Sequence, residues 1–204
     1  ICGNPPYMGS NLQSREQKSD LESIFGKLTK SWKSLDYVAG WFMKAAIYNS
    51  RTKSVSALVS TNSINQGQQV AILWPLISNE DNEICFAYSS FKWANLASHN
   101  AGVTVVIVAI ASQRKQVKKL FVPADGGRVT QKIVANINAY LVAGKMIVIK
   151  SQSKSSSDLG LMLKGNQATD DGFLMLSQNE RRGMLSVNPE LDTLIRPFIG
   201  SKEF

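Results

Sequence analysis

The sequence has little of what metal sites and disulfide scaffolds require. Among its 204 residues are two cysteines and a single histidine, His99. Two cysteines cannot form the framework of a disulfide-rich domain, and they are too few for a structural zinc site. A lone histidine argues against any mechanism that needs a histidine pair. We therefore expect no metal site and a reduced, cytoplasmic setting.

Long apolar runs are also missing. None approaches the roughly 18–20 residues that a membrane-spanning helix requires, and no basic-then-apolar signal segment opens the chain. We therefore expect a soluble protein without a membrane partner. An initiator methionine and an obvious closing element are absent as well. From these two ends, the sequence predicts a fragment of a longer polypeptide.

What is present suits a folded protein. Hydrophobic residues make up 44% of the 204 residues. A chain of this length and composition can bury the core of one ordinary domain, or of one domain and part of another. The same composition argues against a disordered, collagen-like or repeat protein.

Positive charge is concentrated in one stretch. Residues 111–154 contain nine basic residues against one acid, Asp125, and account for the whole net charge of +8. The nine are Arg114, Lys115, Lys118, Lys119, Arg128, Lys132, Lys145, Lys150 and Lys154. Val117 and Leu120 stand among these charges, which indicates a folded segment. The stretch is either a solvated face that keeps the protein soluble or a surface that faces a polyanion.

Apolar spacing predicts two helices. Residues 35–46 repeat apolar side chains at intervals of three and four, which indicates an amphipathic helix. Ser34 is its predicted N-cap, and Asp36 would lie in its favourable first turn. A second helix is predicted over residues 70–77, bent or ended near Pro75.

Strands are predicted at residues 54–60, about 83–88 and 103–110. The last two follow each other without a helical pattern between them, which implies an antiparallel pair at the edge of the sheet. The order strand end, helix, strand, helix, strand, strand predicts the second half of an open α/β sheet.

The composition changes in the last third of the chain. Residues 146–149 read as a further strand. Ser177 and Glu180 form a capping-box pattern that predicts a short helix ending before Pro189. The predicted parts of the chain are residues 1–112, 113–150 and 151–204.

The tetrapeptide Asn4-Pro5-Pro6-Tyr7 follows a short strand tail. A βα sheet binds its ligands at the carboxyl ends of its strands, so this position favours a functional loop. A Pro-Pro pair also occurs in polyproline turns and ligand segments, which is the alternative interpretation.

The residue types of this tetrapeptide fit the activation of an aromatic amine. The exocyclic amine of a purine is a poor nucleophile because its lone pair is delocalised into the ring. The side-chain oxygen of Asn4 and the carbonyl of Pro5 can each accept one amine hydrogen, which turns the lone pair towards an electrophile. Two prolines, Pro5 and Pro6, keep these acceptors in place, and Tyr7 can stack on an unstacked base.

The tetrapeptide resembles the Asn/Asp-Pro-Pro-aromatic motif of amino-group methyltransferases that use S-adenosyl-methionine. The resembling segments are Gly3-Asn4-Pro5-Pro6-Tyr7, Leu35-Asp36-Tyr37-Val38-Ala39, Ser60-Thr61-Asn62-Ser63-Ile64, Phe91-Lys92-Trp93 and Arg196-Pro197-Phe198-Ile199-Gly200. Together they resemble the adenine-specific DNA methyltransferase region, with the start of the target-recognition domain, of single-chain type II restriction–modification enzymes of the type IIG/IIL subclass.

The resemblance implies a fold and a reaction. The fold is the C-terminal half of the Rossmann-like, S-adenosyl-methionine-dependent methyltransferase fold, with an antiparallel edge strand and a partial second domain. The reaction is direct transfer of a methyl group to the exocyclic 6-amino group of a flipped adenine in double-stranded DNA. The three parts of the chain then become the second half of the catalytic domain, a basic connecting region and a truncated target-recognition domain.

The resemblance also implies roles for individual residues. Asn4 and the Pro5 carbonyl would hold the target amine, and Tyr7 would stack on the flipped adenine. A second aromatic side chain closes the other face of the base, and it is Phe91 or Trp93. The residues assigned to the DNA backbone are Arg114, Lys115, Lys118, Lys119 and Arg128.

The sequence departs from the family where the methyl donor binds. Members hold S-adenosyl-methionine on a Gly-rich loop after the first strand, and neither Asp125-Gly126-Gly127 nor Leu159-Gly160-Leu161 has the matching flanks. We expect the donor-binding half to precede Ile1 and the nuclease to lie outside these residues. The fragment alone is then inactive, and its open sheet edge predicts pairing with a second copy.

Two other functions remain open from the sequence. A methyltransferase that modifies protein glutamine or RNA can carry the same tetrapeptide, although the Ser/Lys-rich connector and the C-terminal extension fit such enzymes poorly. A non-catalytic nucleic-acid-binding module that retains the motif is the other alternative.

Overall fold

A computed structural model of the chain describes residues 1–93, 103–112, 117–152 and 171–198. The chain forms two compact units, Ile1–Gln152 and Ser153–Phe204. The first unit contains the predicted sheet, and the second contains a short helix.

The first unit is built on a mixed sheet with six strands in the described residues. The strands are β1 (Cys2–Gly3), β2 (Val55–Thr61), β3 (Asn82–Lys92), β4 (Thr104–Ser112), β5 (Lys118–Pro123) and β6 (Val129–Val134). They lie side by side in the order β1-β2-β4-β3-β5-β6. β1 is parallel to β2 and β3 is parallel to β5, whereas the other neighbours are antiparallel.

Within the described residues, three helices lie on one side of this sheet, α1 (Arg15–Phe25), α2 (Val38–Thr52) and α3 (Gly67–Asn79). Two of them, α2 and α3, pack directly on one face of the sheet, and α1 packs on them from outside, against α2. Their apolar sides form one core with alternate residues of the strands, among them Leu58, Val108 and Ile110. Because strand side chains alternate between the two faces, Val59 and Ile107 point to the face opposite these helices, which we call the second face.

A buried polar cluster fixes the end of α2 on the sheet. Asn49 Nδ2 donates to the Ile110 carbonyl at 2.9 Å, and Asn49 Oδ1 accepts from Ser56 Oγ at 2.8 Å. Asn82 Nδ2 donates to the Ala46 carbonyl at 2.9 Å. Because buried polar groups are costly unless they are paired, these bonds favour one register of α2 against β2, β3 and β4.

α2 begins later than the apolar spacing predicts. Ser34 is not its N-cap, because Ser34 ends a 3₁₀ turn and Leu35 is extended. The helix begins at Val38, whose amide donates to Asp36 Oδ1 at 3.2 Å. The prediction was wrong at this end because Leu35 packs in the core without being helical. Its position still matches the apolar spacing of α2, so the spacing pattern starts before the helix does.

α3 continues through Pro75 to Asn79, so the bend or end predicted at the proline is not a helix end. Proline removes one backbone donor and usually kinks or breaks a helix. Trp74 and Ile77 on either side are each 1% exposed, and Trp74 Nε1 donates to the Ile64 carbonyl at 2.7 Å. We attribute the continuity of α3 to this burial.

The predicted antiparallel pair of β3 and β4 is confirmed, but its position in the sheet differs. β4 also pairs with β2, so it lies between β2 and β3 and not at an edge. β5 then extends the sheet on the other side of β3. Adjacency along the chain predicts that two strands pair, but the side on which the second strand inserts is decided by the core.

Residues 113–150, predicted as a basic connecting region, supply β5 and β6. The first compact unit therefore runs to Gln152, and the domain boundary at residue 112 stays a prediction. Residues 146–149, expected as a strand, do not form one in the structure.

The short helix predicted in the second unit is confirmed. α4 runs over Gln178–Val187 and begins with a capping box. The Ser177 amide donates to the Glu180 carboxylate at 2.8 Å, and the Glu180 amide donates to Ser177 Oγ at 3.3 Å. Hydrogen bonding of its carboxylate to the Ser177 side chain, and then to the Ser177 amide, lowers the pKa of Glu180 below its ordinary value. The helix ends before Pro189, which opens a 3₁₀ turn.

The described ranges contain neither a membrane-spanning helix nor a metal-binding cluster. No helix there is both long enough and apolar enough to cross a membrane. Nor do His, Cys, Asp and Glu side chains of those ranges gather in a group that could hold a metal ion.

Candidate active site

The Asn4–Tyr7 loop begins where β1 ends. Cys2 and Gly3 pair in parallel with Ala57 and Leu58 of β2. This pairing gives β1 the direction of a parallel strand in an α/β sheet, so the loop leaves the sheet at the carboxyl edge, where such sheets bind ligands.

Within this loop the polar residue faces solvent and its apolar neighbours anchor it. Asn4 is exposed, and its side chain has no hydrogen bond to any other part of the chain that the structure describes. A Cβ placed on Gly3 would meet no atom within 4 Å, so there is open space beside the loop. Pro5 is buried, and Tyr7 is half-buried against the core. The loop is therefore held in place with its amide free for a ligand.

Met8, which follows the loop, is held at both of its backbone polar groups. Its amide donates to Asp36 Oδ1 at 2.8 Å. Its carbonyl accepts from Gln13 Nε2 at 2.9 Å and from the Tyr37 amide at 3.0 Å. Gln13 Nε2 also donates to the Leu35 carbonyl at 2.9 Å. The chain leaving Tyr7 is thus fixed to the segment that precedes α2.

Asp36 joins this segment to β2 and α3. Its carboxylate is buried, with the residue 3% exposed, and Oδ2 accepts from Thr61 Oγ1 at 3.2 Å. The Asp36 amide donates to Gln69 Oε1 at 2.8 Å. The sequence placed Asp36 in the first turn of a helix and in a segment that resembles the family, without a role at the loop, and it gave no sign of Gln13 or Gln69. Nothing in the spacing of these residues signals that they meet.

Several elements end at the same edge of the sheet as the Asn4–Tyr7 loop. β2 and β3 are both antiparallel to β4, so they point the same way, and β5 is parallel to β3. The carboxyl ends of these strands therefore bring Thr61, Trp93 and the turn between β5 and β6 to the edge that carries the loop. β1 and β3 are three strand spacings apart, which is about 14 Å.

A bulge in β3 aims Phe91 to the second face. Tyr88 pairs with Ile107 and Phe91 pairs with Val105, so β3 has one residue more than β4 between these pairs. Tyr88 and Phe91 consequently lie on the same face, with ring centroids 4.8 Å apart in an edge-to-face arrangement. Bulges re-aim side chains in this way and are frequent next to active sites.

Phe91 and Trp93 are both half-buried, with ring centroids 6.1 Å apart and planes 41° apart. The Trp93 amide donates to the Val103 carbonyl at 3.0 Å, which keeps Trp93 beside the end of the strand pair. Both rings thus lie at the carboxyl edge, and the choice between them as the second stacking residue stays open.

Lys118 does not belong to a DNA-facing surface. The residue is 4% exposed, and its Nζ donates to Glu83 Oε2 at 2.7 Å and to Asn136 Oδ1 at 2.9 Å. Its assignment to the DNA backbone is wrong, because alternation along β5 turns Lys118 towards the helical side of the sheet and leaves Lys119 on the second face.

The other basic residues assigned to the DNA backbone differ in position. Lys119 and Arg128 are exposed. Arg128 lies in the turn between β5 and β6, and this turn lies at the carboxyl edge. The turn is closed by a hydrogen bond of 2.8 Å from the Ala124 amide to the Arg128 carbonyl. Gly126 and Gly127 allow the turn, since their φ angles of 71° and 74° are left-handed. Arg114, Lys115 and His99 lie outside the described residues.

Comparison with known proteins now assigns the family. A family model described as the DNA-methyltransferase domain of MmeI matches residues 1–122. The chain belongs to the MmeI family of DNA methyltransferases. A second model, the target recognition domain of MmeI, matches residues 143–204. These matches confirm the resemblance to single-chain restriction–modification enzymes.

One curated protein and one solved structure are similar to the whole chain. DNA methyltransferase A of Bacillus subtilis (strain 168) is 45% identical over the whole chain, which covers 23% of that protein. A solved structure of the type IIL restriction–modification enzyme MmeI in complex with DNA has a TM-score of 0.91 and 37% identity, and the chain covers 27% of it. The fold is therefore the Rossmann-like methyltransferase fold, and the chain spans about a quarter of the length of these relatives.

The burial of Lys118 predicts unequal effects of two neighbouring substitutions. Lys118→Ala removes a buried ammonium together with its bonds to Glu83 Oε2 and Asn136 Oδ1, and we expect it to destabilise the first unit by about 3 kcal/mol. Lys119→Ala removes an exposed charge and should change stability by less than about 0.5 kcal/mol. Thermal unfolding of both variants measures the difference, and equal melting temperatures would contradict the assignment.

Proposed function

We propose that this chain carries the catalytic loop of an adenine-specific DNA methyltransferase within a restriction–modification enzyme. The observation that supports this function best is the Asn4–Tyr7 loop, which presents an amide without a hydrogen bond to the described residues, at the carboxyl edge of the sheet beside open space. A loop sealed in the core could not receive a base. Membership of the MmeI family supports DNA as the substrate class.

In this proposal the loop binds the amine of a flipped adenine. Asn4 Oδ1 and the Pro5 carbonyl each accept one hydrogen of the 6-amino group, and this holds the nitrogen lone pair out of the ring plane. The buried Pro5 limits the movement of both acceptors, so little reorganisation is needed when the base arrives. When bound, S-adenosyl-methionine supplies the electrophilic methyl group. The amine nitrogen would form a bond to the methyl carbon as the carbon–sulfur bond of the donor breaks, S-adenosyl-homocysteine would leave as the neutral thioether, and one amine proton would pass to water.

Stacking holds the adenine ring in the same site. Tyr7 is anchored against the core and half-exposed, so one ring face can contact the base. Phe91 or Trp93, at the same edge of the sheet, closes the opposite side. Stacking on an aromatic side chain contributes about 1–3 kcal/mol per base, which offsets part of the cost of taking the base out of the duplex.

The described residues do not fit the main binding loop of the methyl donor. That loop is a Gly-rich turn between a parallel strand and a helix. The Gly126-Gly127 turn instead joins two antiparallel strands, β5 and β6. We therefore propose that S-adenosyl-methionine is held by residues of the same polypeptide outside this chain, which fits a chain that spans about a quarter of its relatives. In this proposal the donor-binding part of the same polypeptide is one of the two partners of the chain.

DNA is the second partner in this proposal. Its phosphates would contact Arg128, whose turn lies at the edge that carries the Asn4–Tyr7 loop, and Lys119, together with Arg114 and Lys115 outside the described residues. Such contacts position the protein on the duplex without reading its sequence. Residues 151–204 would begin the target-recognition domain, after the catalytic part at 1–112 and the basic region at 113–150.

The alternatives gain less support. The names of the methyltransferase family model and of both relatives refer to DNA, and none of them refers to protein glutamine or RNA. A non-catalytic binding module does not require the free amide and buried proline that the loop combines. Pairing of the chain with a second copy through its sheet edge has no support from these relatives.

If the Asn4–Tyr7 loop is catalytic, removing the side-chain amide of Asn4 should strongly lower the rate of DNA methylation. In the full-length protein, Asn4→Ala should lower DNA methylation by about 100-fold or more, because one preorganised partner of the reacting group is lost. The measurement is tritium transfer from S-adenosyl-methionine to unmethylated phage DNA, with ribosomal RNA and release factor offered in parallel.

Asn11→Ala is the matched control, since Asn11 is an exposed asparagine just beyond the loop and should leave the rate unchanged. Wild-type methylation by Asn4→Ala would exclude the catalytic role of the loop. Preferential labelling of ribosomal RNA or release factor would exclude DNA as the substrate class.

The DNA-backbone assignment predicts a change in salt dependence. The logarithm of the DNA-binding constant falls linearly with the logarithm of the salt concentration. Arg128→Ala should make this fall less steep by about 0.9, since one phosphate contact is lost. Lys119→Ala should change the slope in the same direction. Arg51→Ala is the control, because Arg51 is exposed near the opposite edge of the sheet. An unchanged slope in both variants would remove these residues from the DNA surface.

The absence of the donor loop from the described residues predicts weak cofactor binding by the isolated chain. Calorimetric titration of residues 1–204 with S-adenosyl-methionine should give no measurable heat at micromolar concentrations. The full-length protein, titrated in the same buffer, should bind. Micromolar binding by the isolated chain would show that these residues hold the donor themselves.

A further inference from the structure

A buried carboxylate next to the loop has a role that the proposed reaction does not use. Asp36 is 3% exposed and lies between the chain that leaves the loop, the start of α2 and the end of β2. Burying a carboxylate is costly unless hydrogen bonds compensate for the lost water. The donors that compensate here belong to different elements, so the side chain connects them.

One of these donors belongs directly to the catalytic motif. The amide that donates to Asp36 Oδ1 at 2.8 Å is the amide of the Tyr7–Met8 peptide bond. Its plane sets the direction in which the chain leaves Tyr7. The rings of Pro5 and Pro6 each fix one φ angle, so two of the backbone rotations between this peptide and Asn4 are removed. Holding the Tyr7–Met8 peptide therefore limits the position of Asn4 and of the Pro5 carbonyl.

Asp36 is itself held from the other side of the core. Its amide donates to Gln69 Oε1 of α3 at 2.8 Å, and its Oδ2 accepts from Thr61 Oγ1 at 3.2 Å. Thr61 is the last residue of β2 and lies at the edge where the loop lies. A residue that served only to begin α2 would need the bond to the Val38 amide and no other. The bonds to Met8 and Thr61 go beyond that requirement.

We infer that Asp36 is a positioning residue, which ties the Asn4–Tyr7 loop to the carboxyl end of β2 through the Met8 amide and the Thr61 hydroxyl. This inference rests on the proposed methylation. Charge-assisted bonds to a buried carboxylate are short and directional, so they suit the alignment of the two acceptors of the amine. Misplacement of a reacting group by about 1 Å can cost on the order of 100-fold in rate.

The test uses the full-length protein, unmethylated phage DNA and S-adenosyl-methionine with a tritiated methyl group. Asp36→Ala should lower kcat about 10- to 100-fold, while the DNA affinity from fluorescence anisotropy stays within twofold. Asp36→Asn keeps an acceptor for the Met8 amide and should retain most of the rate. Thr61→Val removes the second tie and should lower kcat about three- to tenfold, again without a change in affinity.

Asp20→Ala is the matched control. Asp20 is an exposed acid that accepts from the hydroxyl of Tyr37, the residue after Asp36, at 2.7 Å, and it makes no bond to the loop. Its replacement should leave kcat unchanged. Melting temperatures of all variants are measured in parallel, so that loss of folded protein is not counted as loss of rate.

The outcomes separate this inference from the proposed function. If Asn4→Ala keeps methylation, the proposed function fails. If Asn4→Ala loses methylation but folded Asp36→Ala stays within twofold of the wild-type kcat, only the positioning role of Asp36 is overturned. Loss of DNA affinity in proportion to kcat, or an equal loss in Asp36→Asn and Asp36→Ala, also overturns it. Should Asp36→Ala fail to fold, Thr61→Val decides, and a wild-type kcat for that variant rejects the inference.

Discussion

The parallel pairing of two residues, Cys2 and Gly3, with β2 is the constraint on which the rest of the site depends. It fixes the direction of the chain entering the Asn4–Tyr7 loop, and so decides that the loop emerges at the carboxyl edge. The ends of β2, β3 and β5 reach the same edge because all of them run in one direction around the inserted β4. Residues far apart in the chain are thereby brought to one edge of the sheet.

Two buried polar residues hold α2 between this edge and the opposite one. Asp36 connects the start of the helix with the loop and with the end of β2, whereas Asn49 connects its last turns with the beginning of β2 and with β3 and β4. Apolar packing alone would let a helix slide on a sheet at small cost. Buried hydrogen bonds at both ends remove that freedom, because any shift leaves polar groups unpaired. The rigidity of the loop therefore depends on the whole layer of helices.

Local patterns predicted the elements better than their ends and neighbours. The capping box at Ser177 was correct because all its atoms lie within four residues. The N-cap at Ser34 was wrong, because Leu35 enters the core from an extended backbone. Pro75 did not end α3, since burial on both sides of the proline outweighs one lost backbone bond. β5 and β6 escaped prediction because a charge-rich stretch suggests a surface segment, although Lys118 is buried in an ion pair.

By itself, the sequence determined the family, the residue types of the loop and the presence of α2, α3, α4, β2, β3 and β4, since these depend on residue identity and short-range spacing. Only the tertiary structure decided where β4 inserts, which of two adjacent lysines meets solvent and what holds the Tyr7–Met8 peptide. Each of these outcomes depends on contacts between residues distant in the chain. Such contacts are selected by the requirement that every buried polar group finds a partner, and that requirement can be checked only when the chain is folded.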